Sequence, residues 1–285
     1  MTTALATELK AVLAAHPDDL ARAALVFAKL EYPDLDPAGP LARLDALGAR
    51  AAPHVGAPGE MTVRARIAAL NRVIYDEESF DGNRAHYDDF RNSLLNVVLE
   101  RRLGIPISLA LVYMEVARRA RLEVFGVAFP GHFLLRVAAD AGRDRDPLIL
   151  DPFNRGFELG EAGCRALLAS QLGDDSTFSS ALLAPCGPQQ MLVRMLNNLK
   201  RTYVELRSFP QAYAATDMIL AVDPTLLPEL RDRGLLAYHL DDFAPALRDL
   251  EDYLRLQRWT DDNRDEHEQI WEHVKNLRRR IASWN

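Results

Sequence analysis

One predicted helix, residues 108–121, is apolar on nearly all of its faces. Such a helix is stable only where neighbouring elements cover it on every side, which places it at the centre of a domain. Three strand-like runs follow at 124–129, 132–137 and 148–151, with a polar hairpin loop at 138–147. The middle of the chain is therefore predicted to be α+β, with a buried helix packed on a small antiparallel sheet.

Helical patterns precede this central helix. Residues 4–31 predict two helices that separate at His16–Asp19, where an aspartate can cap the second. A Pro- and Gly-rich stretch at 51–59 predicts a loop, and a further helix is predicted at about 61–75. The N-terminal part of the chain should therefore add a helical layer to the same domain.

The C-terminal third is predicted to be wholly helical and repetitive. Phe209 is matched by Phe243 and Ala212 by Ala246, each pair 34 residues apart. A period of 34 with small residues at such positions is typical of tetratricopeptide repeats. We expect two repeats and a terminal capping helix at about 266–283; an ordinary helical bundle is the alternative.

Composition restricts the class of protein. The net charge of −7 disfavours a general nucleic-acid binder, and no Gly-rich phosphate loop or other cofactor motif is present. No apolar run approaches 18 residues and no signal peptide is visible, so we expect a cytoplasmic protein without a membrane partner. Cys164 and Cys186 fit neither a disulfide framework nor a zinc motif. His267 and His273 are too far apart for one helix face to present both to zinc.

Three residues have the order of a catalytic triad. Ser108 begins the central helix, His132 opens a predicted strand and Asp151 closes the next. Papain- and transglutaminase-like sites use this layout with cysteine first, because a helix N-terminus stabilises a thiolate. A hydroxyl is far less acidic, so Ser108 would need His132 as a general base, with Asp151 to orient it.

Each of these residues also has a structural interpretation. Ser108 fits a helix-capping or first-turn position with a satisfied hydroxyl, and His132 fits a buried structural histidine. Asp151 precedes a proline, which is typical of a turn. The residues alone leave both interpretations open.

Longer motifs carry a resemblance to a known family. They are the stretches 31–35, 80–83, 92–108, 126–134 and 151–156. Together they resemble the bacterial SirB-type family, which implies a helix-rich transglutaminase-like (papain-like) domain followed by tetratricopeptide repeats. We assign these to residues 1–185 and 186–285. The resemblance maps the superfamily's Cys, His and Asp onto Ser108, His132 and Asp151, and implies that serine is usual at the first position.

Two functions remain as hypotheses. In the first, the protein is a non-catalytic or weakly catalytic shell, a pseudoenzyme, whose repeats bind a peptide or protein partner. In the second, it is a Ser-His-Asp hydrolase or acyltransferase that acts on an amide or ester through Ser108. Neither requires a cofactor, and the sequence predicts neither the substrate nor the oligomeric state.

Overall fold

The computed structural model describes residues 3–138, 147–173, 176–258, 260 and 263–283. The chain divides into two compact units, Pro17–Met195 and Met1–His16 together with Leu196–Asn285. The helices in chain order are α1 (Ala4–Ala15), α2 (Leu20–Ala28), α3 (Ala38–Val55), α4 (Val63–Asn71), α5 (Leu95–Arg101), α6 (Pro106–Arg119), α7 (Glu161–Leu172), α8 (Pro188–Glu205), α9 (Phe209–Val222), α10 (Leu227–His239), α11 (Phe243–Leu256) and α12 (Arg264–Ala282). The strands are β1 (Asp81–Gly82), β2 (Leu103–Gly104), β3 (Val124–Val127), β4 (Leu134–Val137), β5 (Leu148–Asp151) and β6 (Phe157–Leu159).

Helix α6 is the central element of the Pro17–Met195 unit, which confirms the predicted α+β class. Its residues from Pro106 to Tyr113 are all buried, and the helix contacts α3, α5, β3 and β4. The buried Glu115 is paired with Arg118 and Arg119 on the same helix. The apolar pattern of α6 thus reflects neighbours on all sides.

Four strands form an antiparallel sheet in the order β3-β4-β5-β6. The first three are the strands that the sequence predicts, although β4 begins at Leu134 and leaves His132 in the preceding turn. The edge strand β6 was not predicted, because its residues are mostly exposed and lack apolar alternation. A short parallel pairing of β1 with β2 was also missed, since two residues carry no periodicity. The predicted hairpin loop at 138–147 lies mostly outside the described residues.

The expectation of a loop over 51–59 is wrong for its first half. Helix α3 continues to Val55 with Pro53 inside it, and the left-handed Gly56 then ends the helix. Ala51 and Val55 are fully buried, so core packing outweighs the one backbone hydrogen bond that proline cannot donate.

The other unit consists of helical hairpins that repeat. Phe209 and Phe243 are the first residues of α9 and α11, and Ala212 and Ala246 are both fully buried. Helix α12 packs on α11, as a terminal capping helix should. The 34-residue pattern therefore describes real structural equivalence between the hairpins.

The first residues of the chain belong to this repeat unit. Helix α1 packs on α9, and the Thr3 N–H donates to Asp217 at 2.5 Å. Arg233 then joins Asp217 to Asp249 through hydrogen bonds of 2.6–3.0 Å, and both carboxylates are buried. The sequence instead predicts that residues 1–16 belong to a first domain that ends at residue 185. This domain boundary stays a prediction, whereas the compact units separate after His16 and after Met195.

No helix in the described part of the chain is long and apolar enough to cross a membrane.

Candidate functional site

His132 and Asp151 are brought together beside the sheet. His132 lies in a turn closed by its N–H donating to the Phe129 carbonyl at 3.1 Å, with Gly131 in the left-handed region. Asp151 is the last residue of β5, the neighbour of β4. His132 Nε2 lies 3.0 Å from Asp151 Oδ1, and both residues are buried.

Asp151 has a second set of partners. Its Oδ1 accepts from the N–H groups of Phe153 and Asn154 at 2.9 and 3.3 Å, and its Oδ2 accepts from Asn154 Nδ2 at 2.6 Å. Burial raises the pKa of Asp151, but its hydrogen bonds, above all with His132, outweigh burial and hold that pKa below its ordinary value. Asp151 therefore caps the turn and faces the histidine as a carboxylate.

The ionised Asp151 determines which nitrogen of a neutral His132 is basic. A carboxylate can only accept hydrogen bonds, so His132 Nε2 carries the proton and Nδ1 has the free lone pair. No described residue hydrogen-bonds to Nδ1. The His132 carbonyl accepts from Arg194 Nη2 at 2.5 Å, which fixes the backbone of the turn. This arrangement could accept a proton from a group placed at Nδ1.

The Ser108 hydroxyl is bonded elsewhere. Ser108 is the third residue of α6 and is 1% exposed. Its Oγ accepts from the Ile105 N–H at 3.1 Å and donates its single proton to the Asn92 carbonyl at 2.6 Å, which lies nearer than the alternative acceptor, the Ile105 carbonyl at 3.1 Å. Among the described residues, no hydrogen bond joins Ser108 to His132. The structure thus brings His132 and Asp151 into contact and bonds the Ser108 hydroxyl to backbone groups of Ile105 and Asn92.

Asn92 connects Ser108 to the preceding loop. Its Nδ2 donates to the carbonyls of His86 and Tyr87 at 2.7 and 3.1 Å, and its Oδ1 accepts from Asn83 Nδ2 at 2.9 Å. Asn92 is fully buried, so these bonds are protected from water. Asn92 was assigned no role in the site from the sequence. The signal that could have indicated a role is an asparagine just before an apolar helical run.

One aromatic side chain, Phe153, packs against the histidine and is itself held by its neighbours. The Phe153 ring meets His132 edge-on at 6.2 Å, and Tyr87 meets Phe153 at 5.8 Å. Arg84 lies over the Phe153 ring at 4.7 Å and donates to the Phe153 carbonyl at 2.9 Å. A Cβ at Gly82 would come within 2.5 Å of that ring, so the packing requires glycine there. The packing of the Phe153 ring therefore holds the turn at 152–154 against the loop at 83–92.

The cysteines lie outside this site. Cys164 is fully buried on α7, and burial raises the pKa of its thiol. Burial likewise raises the pKa of Cys186, which contacts the sheet near Gly126. Within the described ranges, no group of three or more His, Cys, Asp or Glu side chains could hold a metal ion.

Comparisons with known proteins agree with this architecture. The model of the transglutaminase-like superfamily matches residues 40–197, and a tetratricopeptide-repeat model matches residues 199–277. Tetratricopeptide repeats generally mediate protein interactions.

Similar sequences occur in bacterial proteins and in a human protein. The chain is 39% identical over 239 residues to a UPF0162 protein of Xylella fastidiosa, with 82% of each chain covered. It is 26% identical over 185 residues to Protein SirB1 of Salmonella typhimurium, covering 65% of this chain and 67% of that one. It is 32% identical over 180 residues to F-box only protein 21 of Homo sapiens, covering 60% of this chain and 28% of that protein. The chain belongs to the transglutaminase-like superfamily and, within it, to the SirB-type family of UPF0162 proteins.

Proposed function

We propose that this protein binds a peptide or protein partner and that its Ser108, His132, Asp151 constellation is non-catalytic or weakly catalytic. One observation carries the proposal: the Ser108 hydroxyl donates to the Asn92 carbonyl at 2.6 Å. A serine nucleophile must instead hand its proton to the base as it attacks.

The cost of releasing the hydroxyl supports the non-catalytic interpretation. Turning Ser108 towards His132 would leave the Asn92 carbonyl and the Ile105 N–H without partners in a buried setting. The dipole of α6 contributes only about 0.3–1 kcal/mol to a charge at its N-terminus, which does little for a serine alkoxide. The hydroxyl is therefore better suited to holding the loop than to attacking a carbonyl.

The repeat hairpins support the binding interpretation. Leu206 and Leu240 lie 34 residues apart, each in the turn between the two helices of a hairpin, and they are 57% and 37% exposed. Trp271 on α12 is 41% exposed. Large apolar side chains that recur on a surface are typical of protein contacts. We therefore assign partner binding to the repeat unit.

Labelling with a phosphonylating probe for nucleophilic serines tests the catalytic part. A fluorophosphonate is incubated with the wild type and with Ser108→Ala, and the modified residue is located by mass spectrometry. We expect no labelling at Ser108 in the wild type, and therefore the same labelling pattern in the wild type and in the variant. Stoichiometric labelling at Ser108 that disappears in the variant and is accompanied by ester turnover would overturn the proposal.

Peptide selection tests the binding part. Peptides selected from a displayed library against the full-length protein are measured by calorimetry on the wild type and on Leu206→Ser with Leu240→Ser. We expect an affinity loss of about tenfold or more for the double variant, as when the few anchor residues that dominate an interface are removed. The matched control is Leu172→Ser, since Leu172 is also exposed but belongs to the other unit. Equal affinity in all three proteins would remove the repeat unit from the binding role.

The Ser-His-Asp hydrolase or acyltransferase is the second candidate. It is favoured by the 3.0 Å contact between His132 and Asp151, and by an Nδ1 atom that no described residue bonds. Ser108→Cys tests it, because a thiol at the head of α6 would be activated by the helix and by His132. Thiol-dependent acyl transfer that is lost again when His132 is changed to Gln would favour an enzyme whose geometry is intact.

A further inference from the structure

A row of side chains crosses the sheet face that packs against α7. The register pairs Phe125 with Arg136, Arg136 with Ile149, and Ile149 with Leu159, which places all four on one face. The same face includes Leu134, which packs with Cys164 of α7. Arg136 is the single charged residue in this row.

A cavity of about 730 Å³ lies over this row, a size suited to a small organic ligand. Much of its wall is apolar. Besides Ile149 and Leu159 of the row, the apolar side chains that line it include Leu148, Phe178 and Leu183. The cavity therefore combines an apolar wall with the Arg136 guanidinium.

The charge of Arg136 has no counter-ion in the part of the chain that the structure describes. Its Nη1 donates to the Leu183 carbonyl at 2.9 Å, which positions the side chain and leaves the other N–H groups available. The carboxylates at the cavity have their own arginines: Glu158 pairs with Arg64 at 3.0 Å, and Glu161 pairs with Arg165 at 2.5 Å.

We propose that this cavity binds a monocarboxylate with an apolar body, and that the carboxylate is held by Arg136. A planar guanidinium matches a carboxylate in a two-point hydrogen bond, and such charge-assisted bonds are stronger in a partly dry site. The apolar body packs on Ile149, Leu159 and Phe178. The ligand is a free medium-chain acid or the free C-terminus of an apolar peptide. This site is separate from Ser108 and from the repeat unit, so it does not rest on the function proposed above.

Calorimetry on the full-length protein with decanoate and with 1-decanol tests the role of charge. We expect decanoate to bind the wild type, and Arg136→Met to weaken it by about tenfold or more while the weaker binding of decanol is unchanged. Arg136→Met keeps most of the apolar stem, and a thermal unfolding curve checks that it folds. The matched control is Arg22→Met, an exposed arginine distant in sequence, which should bind decanoate as the wild type does.

Two further measurements identify the source and the place of binding. A tetrapeptide ending in leucine is measured as the free acid and as the C-terminal amide. If only the peptide acid binds, and binds more tightly than decanoate, the site is assigned to a peptide C-terminus. If decanoate binds more tightly than the peptide acid, the site is assigned to a free acid. A diazirine-bearing decanoate should crosslink to residues among 147–149, 159 and 178–183. The proposal is overturned if neither carboxylate binds, if Arg136→Met binds decanoate normally, or if crosslinks lie elsewhere.

Discussion

Replacing Ser108 with alanine removes a hydroxyl that holds two backbone groups. In the native protein the Ile105 N–H donates to Ser108 Oγ at 3.1 Å, and Oγ donates to the Asn92 carbonyl at 2.6 Å. Ser108→Ala leaves both backbone groups without these partners. The side chain otherwise loses one small atom, so the cavity that remains contributes little.

The expected loss of stability follows from the burial of the orphaned groups. Asn92 is 0% exposed and Ile105 is 7% exposed, so water cannot replace the hydroxyl without entering the core. Leaving a buried donor or acceptor unsatisfied costs about 1–3 kcal/mol. For the two groups together we expect a decrease of about 2–6 kcal/mol in the free energy of unfolding of the Pro17–Met195 unit.

Urea unfolding of wild type and variant measures this difference, and limited proteolysis reports locally on the loop at 83–92. Ser170→Ala is the matched control, because its exposed hydroxyl donates to the Leu167 carbonyl at 2.7 Å, where water can substitute. The control should stay within about 0.5 kcal/mol of the wild type. If Ser108→Ala is as stable as the control, the hydroxyl does not stabilise the fold, and the main argument against a catalytic Ser108 is lost.

Three other substitutions test different parts of the structure. Arg233→Met removes the arginine that pairs with the buried Asp217 and leaves the buried Asp249 with only its longer contact to Arg248 at 3.6 Å, so it should cost about 3–5 kcal/mol in the repeat unit by urea unfolding, whereas the exposed Arg255→Met should be nearly neutral. Gly82→Ala pushes a methyl group into a phenyl ring and should cost about 1–3 kcal/mol, whereas Gly39→Ala, with open space around it, should be neutral or slightly stabilising. The folded pKa of Asp151 is depressed, so its contribution to stability is present above the ordinary value of 3.8 and is lost as the pH falls through the lower folded value. As the pH falls below about 3.8, the free energy of unfolding should therefore decrease less for Asp151→Asn than for the wild type. An equal decrease in both proteins would contradict this.

The strongly periodic parts of the fold could be predicted from the sequence. The all-round apolar pattern identified α6 as central, and the 34-residue offset identified equivalent hairpins. Local periodicity failed where long-range packing decides the structure. Pro53 stays helical because its neighbours Ala51 and Val55 are buried, and β6 pairs with β5 although two of its three side chains are exposed. These features depend on contacts that the local pattern does not contain.

The location of the candidate site could be predicted from the sequence, but the hydrogen-bond partners of its residues could not. Sequence order predicted that His132 and Asp151 would meet, and the antiparallel pairing of β4 with β5 achieves this. The partner of the Ser108 hydroxyl could not be derived, because Asn92 lies 16 residues earlier and is brought to it only by the fold. Whether the three residues perform chemistry stays a prediction.

The repeat unit is assembled from two segments, Met1–His16 and Leu196–Asn285, that lie about 180 residues apart in the sequence. Helix α1 and Thr3 bind to α9, which is followed by the rest of the unit up to the C-terminal residues. During synthesis the first sixteen residues leave the ribosome long before α9 exists, while the intervening unit can already fold. Helix α1 therefore lacks its binding surface until α9 has been synthesised, and a chain that stops before α9 exposes α1 to chaperones and proteases.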